Sequence, residues 1–139
     1  MATVLFVDDE PSIRRAVHYW LERRGHEVHS ASTIAEAIEL LGKYRFEGAF
    51  IDLWLPDGLG FELYAEIQRS YGKLARNIVF VSGDILPDAN VRGQLQTLGH
   101  PILSKPFDLD ELDHFTRAWV RTSGGWLLDP PGEPPSGGP

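Results

Sequence analysis

Cysteine is absent from all 139 residues, which excludes disulfides, thiolate metal sites and cysteine nucleophiles together. Also missing is any apolar run of membrane-spanning length. The start Met1-Ala2-Thr3 carries no basic segment, and the apolar run Val4 to Val7 is far too short for a signal peptide, so a cytoplasmic location is the default expectation. Positive charge is scarce: 13 basic residues against 20 acidic ones leave a formal charge of -7. A field of that sign repels nucleic acid and anionic membranes, so neither is expected as a direct partner. No internal repeat and no basic recognition helix is evident.

What is present fits one globular unit. A hydrophobic fraction of 42% and a charged fraction of 24% are ordinary for such proteins, and the length suits a single core. From Gly124 the composition shifts to Gly, Pro and Ser with one apolar patch, Trp126-Leu127-Leu128. That stretch cannot build a core, so residues 1–123 are read as one domain and 124–139 as a disordered tail or linker.

Short apolar runs alternate with helical patterns along the chain. Val4-Leu5-Phe6-Val7 reads as a buried strand that stops at Asp8-Asp9-Glu10. Pro11 suits a first helical position, and Ile13, Ala16, Val17, Trp20 and Leu21 recur at helical spacing to about Arg24, with Gly25 as the terminating glycine. Glu27 to Ala31 is a second strand. Thr33 and Glu36 stand at capping-box spacing before the apolar face Ile34, Ala37, Ile38 and Leu41. Ala49-Phe50-Ile51-Asp52 is a third strand that breaks into the turn Leu55-Pro56-Asp57-Gly58, and a helix with Leu63, Tyr64, Ile67 and Tyr71 facing the sheet follows. Asn77 to Ser82 is the most strand-like run. Pro87 to Leu98 is a weak helix with Gly93 in its interior, Pro101 to Ser104 a short fifth strand, and Leu109, Leu112, Phe115 and Trp119 line a last helix ending by Thr122. Five β/α pairs in this order argue for a parallel sheet covered by helices on both faces.

Chemistry-bearing residues fall where such a sheet gathers them. Asp8, Asp9, Asp52, Ser82 and Lys105 each follow, or stand at, the end of a predicted strand, and in a parallel sheet those ends share one edge. Hard carboxylate oxygens there suit Mg²⁺, which takes one or two carboxylates, waters and phosphate oxygens. A carboxylate can attack phosphorus, a lysine can neutralise equatorial oxygens, and a hydroxyl can hydrogen-bond one of them. Taken singly, each feature has a plainer reading: the acidic pair as helix N-terminal charge, Asp52 as a turn former, Ser82 as a turn serine, Lys105 as a solvated loop charge. Their joint order favours the chemical reading. The five histidines match no nucleophile pattern and are expected at the surface; Asp57 and Asp84 are expected to shape turns, and Trp20 and Trp119 to pack.

These residues resemble the receiver domains of two-component response regulators. Val7-Asp8-Asp9-Glu10 is similar to the family's acidic pair, Asp52 with Pro56 and Gly60 to its phosphoacceptor turn, Ser82-Gly83 to its hydroxyl site, and Lys105-Pro106-Phe107 to its lysine motif. The resemblance covers about residues 3 to 121. It implies a (βα)5 doubly wound sheet of flavodoxin-like order 2-1-3-4-5. It also implies that Asp52 accepts a phosphoryl group from a histidine kinase or phosphotransfer protein, with Ser82 and Lys105 as phosphate partners. Mg²⁺ would be held by Asp8, Asp9, Asp52 and the Trp54 carbonyl, and Lys105-Pro106 would be a cis peptide. Such a module turns over no external metabolite, and its output surface would be the fourth helix, fifth strand and fifth helix, here about residues 87–121, read by a partner protein or an output domain.

Two positions depart from the family pattern. Ile102 stands three residues before the lysine, where the family usually carries an aromatic ring that moves inward on phosphorylation; an aliphatic side chain cannot make that movement, and His100 is a poor substitute. Trp54, two residues after Asp52, is bulky for its position and is expected to restrict attacking water. The first departure favours an alternative, a receiver fold that binds partners without phosphoryl switching. A phosphatase of the haloacid dehalogenase type also uses a strand-end aspartate, but it wants an acid where Trp54 stands, and the chain lacks room for a cap domain.

Overall fold

The computed structural model describes residues 2–83 and 89–128, the side chains of Val91 and of residues 121–128 excepted. Five parallel strands form the main sheet: β1 (Thr3–Val7), β2 (Glu27–Ala31), β3 (Gly48–Asp52), β4 (Ile78–Ser82) and β5 (Ile102–Ser104). Their spatial order is β2-β1-β3-β4-β5, with every neighbouring pair parallel, which is the flavodoxin-like order implied by the resemblance. The connecting helices are α1 (Pro11–Arg23), α2 (Ile34–Leu41), α3 (Gly60–Ser70), α4 (Ala89–Leu98) and α5 (Leu109–Leu128).

Alternation along the strands explains the two layers. Val4, Phe6, Phe50, Val79 and Val81 point to one face, where Val17 and Leu21 of α1 and Leu112 and Trp119 of α5 complete a core. Leu5, Val7, Ala49, Ile51 and Phe80 point to the other, under Ala37 and Leu41 of α2, Leu63 and Ile67 of α3 and Leu95 of α4. Successive strand residues project to opposite faces, so a run that is apolar at every position must be covered on both. In α1, Pro11 begins the helix and Gly25, at φ +89°, follows its C-cap, as the sequence predicts.

The chain leaves β1 first toward β2 and then, on the other side, toward β3. The strand order therefore reverses between β1 and β3, and the crevice outside their carboxyl ends is where this topology presents ligands. Asp8 and Asp9 follow β1, and Asp52 ends β3.

The structure departs from the sequence pattern at several places. Trp54–Leu55 and Gly58–Leu59 pair as a small antiparallel hairpin after Asp52, and Leu74–Arg76 form a 3-10 turn; neither was apparent in the apolar pattern. Helix α5 continues to Leu128, past its expected end at Thr122. Glycine only weakens a helix, so Gly124-Gly125 do not stop it; the first helix-forbidding residue is Pro130. Residues 129–139 of the proposed tail lie outside the described residues, as does Asp84. His26 is buried, not at the surface. Its Nδ1 accepts the Ala2 N–H (3.1 Å) and its Nε2 faces Asp113 Oδ1 (3.2 Å) and Thr116 Oγ1 (3.3 Å), so every polar ring atom is satisfied inside. His18, His29 and His100 are half-buried, and His114 is exposed.

Gly48 opens β3 directly beneath Trp119, whose ring also packs against Phe50 with centroids 5.0 Å apart. A Cβ at Gly48 would lie 2.2 Å from Trp119 Cε3, and that ring is buried. Gly48→Ala is expected to lower unfolding free energy by about 1–3 kcal/mol through overpacking, measured by chemical denaturation; unchanged stability would show that the α5 face yields freely.

Candidate functional site: an acidic crevice with a lysine

Asp8 sits innermost at the end of β1, fully buried, and its Oδ2 has an ion-pair contact but no hydrogen-bond partner among the described residues. Its N–H donates to Ala31 O (3.0 Å), its carbonyl accepts from Arg14 Nη1 (2.7 Å), Oδ1 accepts the Glu10 N–H (2.9 Å), and Oδ2 lies 2.7 Å from Lys105 Nζ. Asp9, next in the chain, turns out to solvent. Asp52 is nearly as buried as Asp8: Oδ1 accepts the Trp54 N–H at 3.0 Å and Oδ2 accepts from Lys105 Nζ at 2.9 Å. One ligand oxygen from each of Asp8, Asp9 and Asp52 lies within 4.8 Å of the others.

Two glycines make these approaches possible. At Gly60 a Cβ would stand 2.4 Å from the Asp52 carbonyl oxygen, so α3 can begin against the end of β3 only because that position has no side chain. At Gly83 a Cβ would meet Lys105 Cδ at 3.2 Å, so the lysine arm crosses a gap that a larger residue would crowd. The Lys105 backbone N–H donates to Ser82 O (2.8 Å), which registers the end of β5 on β4, and the following Lys105–Pro106 peptide is cis. Ser82 Oγ is buried and has no hydrogen-bond partner among the described residues.

The electrostatics follow from this packing. Burial pushes the Asp52 carboxyl above its usual value, outweighing the Trp54 N–H and the Lys105 ammonium, both of which favour the ionised form. Burial alone would push Lys105 down; its bonds to Asp8, Asp52 and Glu10 overcome that and raise it, so it is charged at any physiological pH. The third of those bonds, Lys105 Nζ to Glu10 Oε1 at 3.0 Å, was not apparent in the sequence, where 95 residues separate the two. Hard oxygens converging on one crevice are a donor set that fits a small divalent cation, and the excess of carboxylates over the ammonium they share gives its charge a use.

Asp57 does more than shape a turn. Its Oδ1 and Oδ2 accept the N–H groups of Ile34 (2.9 Å) and Ala35 (3.1 Å), the first two of α2, and those donors hold its carboxyl below the usual range. Thr33 Oγ1 accepts the third, Glu36 N–H (3.1 Å), as the capping-box spacing predicts. The reciprocal half differs: the Glu36 carboxylate takes the Ser32 N–H and hydroxyl, one residue earlier than expected. Ile102 is 44% exposed on β5, and His100 Nε2 is engaged by the Tyr64 hydroxyl at 3.0 Å. Trp54, also 44% exposed, flanks Asp52 from the hairpin.

The comparisons with known proteins agree with this arrangement. A response regulator receiver domain model matches residues 4–117. The response regulator protein PilR of Pseudomonas aeruginosa is 33% identical over 117 residues, covering 84% of this chain and 26% of PilR. The transcriptional regulatory protein KdpE of Mycobacterium tuberculosis is 32% identical over 121 residues, covering 87% of this chain and 52% of KdpE. The chain thus spans about a quarter to a half of the length of these curated relatives. A CheY-like response regulator receiver domain protein from Methanospirillum hungatei superposes with a TM-score of 0.77 over 90% of this chain and 98% of that one, at 23% identity, which bears on the fold alone. With its five-stranded 2-1-3-4-5 sheet, its acidic crevice and this match over most of its length, the chain belongs to the response regulator receiver domain family, whose function is phosphorylation-based signalling in two-component systems.

Proposed function

We propose that Asp52 is the phosphoacceptor of this receiver domain and that a histidine kinase or phosphotransfer protein is its donor. The observation that carries the reading is the position of Asp52: buried at the end of β3, 2.9 Å from the Lys105 ammonium and clustered with Asp8 and Asp9. An Asp52 carboxylate oxygen attacks phosphorus, the P–N bond to the donor imidazole breaks, and the imidazole leaves with the electron pair. Asp8, Asp9, Asp52 and the Trp54 carbonyl would hold Mg²⁺, which when bound offsets charge on the phosphoryl oxygens. Lys105 takes one of those oxygens in this reading, and the Ser82 hydroxyl, which has no partner among the described residues, donates to another.

Residues 1–123 are the receiver in this reading and 124–139 a tail or linker. Phosphorylation shifts a surface around residues 87–121, which a partner protein or an output domain recognises. Ile102 supports a second reading, partner binding without a phosphoryl switch, because it supplies no ring to move. Among the described residues no helix is long and apolar enough to cross a membrane.

Incubation with Mg²⁺ and acetyl phosphate should add one phosphoryl group by mass spectrometry, and EDTA or Asp52→Asn should abolish the addition. No mass change and no beryllofluoride binding would leave the second reading standing. Because folding raises the Asp52 pKa, the folded state holds that proton to higher pH than the unfolded chain does. Its carboxylate therefore costs stability progressively as pH rises from the ordinary aspartate value through the raised one. Asp52→Asn should accordingly melt at a higher temperature than the parent at pH 7, with the gain disappearing below the ordinary aspartate range. Trp54→Ala should shorten the acyl-phosphate half-life by about fivefold, equivalent to about 1 kcal/mol of barrier; an unchanged half-life would remove Trp54 as a shield.

A further inference from the structure

We propose that Glu10 is a positioning residue that tethers Lys105 and competes with the phosphoryl group for its ammonium, so that one side chain sets phosphoryl affinity against cation affinity. The inference rests on the reading of Asp52 as phosphoacceptor.

An ammonium has three N–H donors, and at Lys105 three carboxylates lie in reach: Asp8 Oδ2 at 2.7 Å, Asp52 Oδ2 at 2.9 Å and Glu10 Oε1 at 3.0 Å. Glu10 and Asp52 are hydrogen-bonded to the ammonium and Asp8 is held to it by charge, so a phosphoryl oxygen arriving at Lys105 competes with all three. The three are not equally replaceable. The Asp8 and Asp52 side chains are 0% and 6% exposed, and a buried carboxylate can release the ammonium only where another cation replaces it. The Glu10 side chain is 55% exposed and can turn outward into solvent at small cost. Glu10 is therefore the partner that yields.

Its aim is also fixed. Glu10 is the N-cap residue of α1, its N–H donates to Asp8 Oδ1 (2.9 Å) and its carbonyl accepts from Arg14 N (3.1 Å), so the backbone is anchored on both sides while the side chain crosses the mouth of the crevice to Lys105. The same carboxylate adds negative potential beside Asp8 and Asp9, which favours a divalent cation and disfavours an anion. Its two effects thus have opposite signs, one on each ligand.

The strength of an exposed ion pair corresponds to roughly a two- to fivefold change in an equilibrium constant. Calorimetric titrations of the full chain with Mg²⁺ alone, and with beryllofluoride at saturating Mg²⁺, separate the effects. Glu10→Gln should weaken Mg²⁺ binding and tighten beryllofluoride binding, each by about that factor. Glu10→Asp, which keeps the charge but falls one methylene short of Lys105, should leave Mg²⁺ binding near the parent value and still tighten beryllofluoride binding. Beryllofluoride affinities equal to the parent's in both variants would overturn the tether. Tightening in Gln but not in Asp would overturn it too, since charge alone would then suffice. A parent protein that binds no beryllofluoride would instead overturn the phosphoacceptor reading beneath it.

Discussion

The ammonium of Lys105, held between Asp8 and Asp52, is the contact on which the site depends. Two carboxylates this deeply buried repel each other and lose their hydration, and without a cation between them the carboxyl ends of β1 and β3 would not tolerate both. The arm that delivers the charge comes from the far side of β4. It needs β5 in register, which the Lys105 N–H to Ser82 O bond supplies, and it needs a slot above Gly83. Sheet order, glycine placement and charge balance are thus one constraint seen three ways.

That arrangement is also poised. The carboxyl of Asp52 resists ionisation because it is buried, while the ammonium beside it is stabilised in its charged form by the acids around it. A divalent cation next to Asp8 and Asp9 would relieve the excess of negative charge that one lysine leaves. The carboxylates and the ammonium stand together at the crevice, in a low-dielectric setting where their charges act strongly.

Much of this was legible in the sequence because the signals were local. The fully apolar strand runs announced a parallel sheet, and strand ends located Asp8, Asp9, Asp52, Ser82 and Lys105 without any long-range information. What escaped was long-range by nature. No periodicity links Glu10 to Lys105, Arg14 to the Asp8 carbonyl, or Asp57 to the first turn of α2. His26 looked like a surface residue because histidine usually is one; only the pairing of Ala2, Asp113 and Thr116 around it makes burial acceptable. The hairpin after Asp52 consists of two residues on each strand, too short for alternation to register, and the continuation of α5 reflects the tolerance of helices for glycine but not proline.

The cap that Asp57 places on α2 braces one flank of the crevice. On one flank, the segment after Asp52 is bolted to a helix by two charge-assisted bonds, and Gly60 seats α3 against the backbone of Asp52 itself. On the other flank, Leu95 is the fully buried side chain of α4 among those described, with Leu98 packed at the margin. Toward α2 and α3, Asp52 therefore stands against an abutment. The hairpin between Asp52 and α3 is thus clamped at both ends, by the helix it caps and by the helix that starts against it.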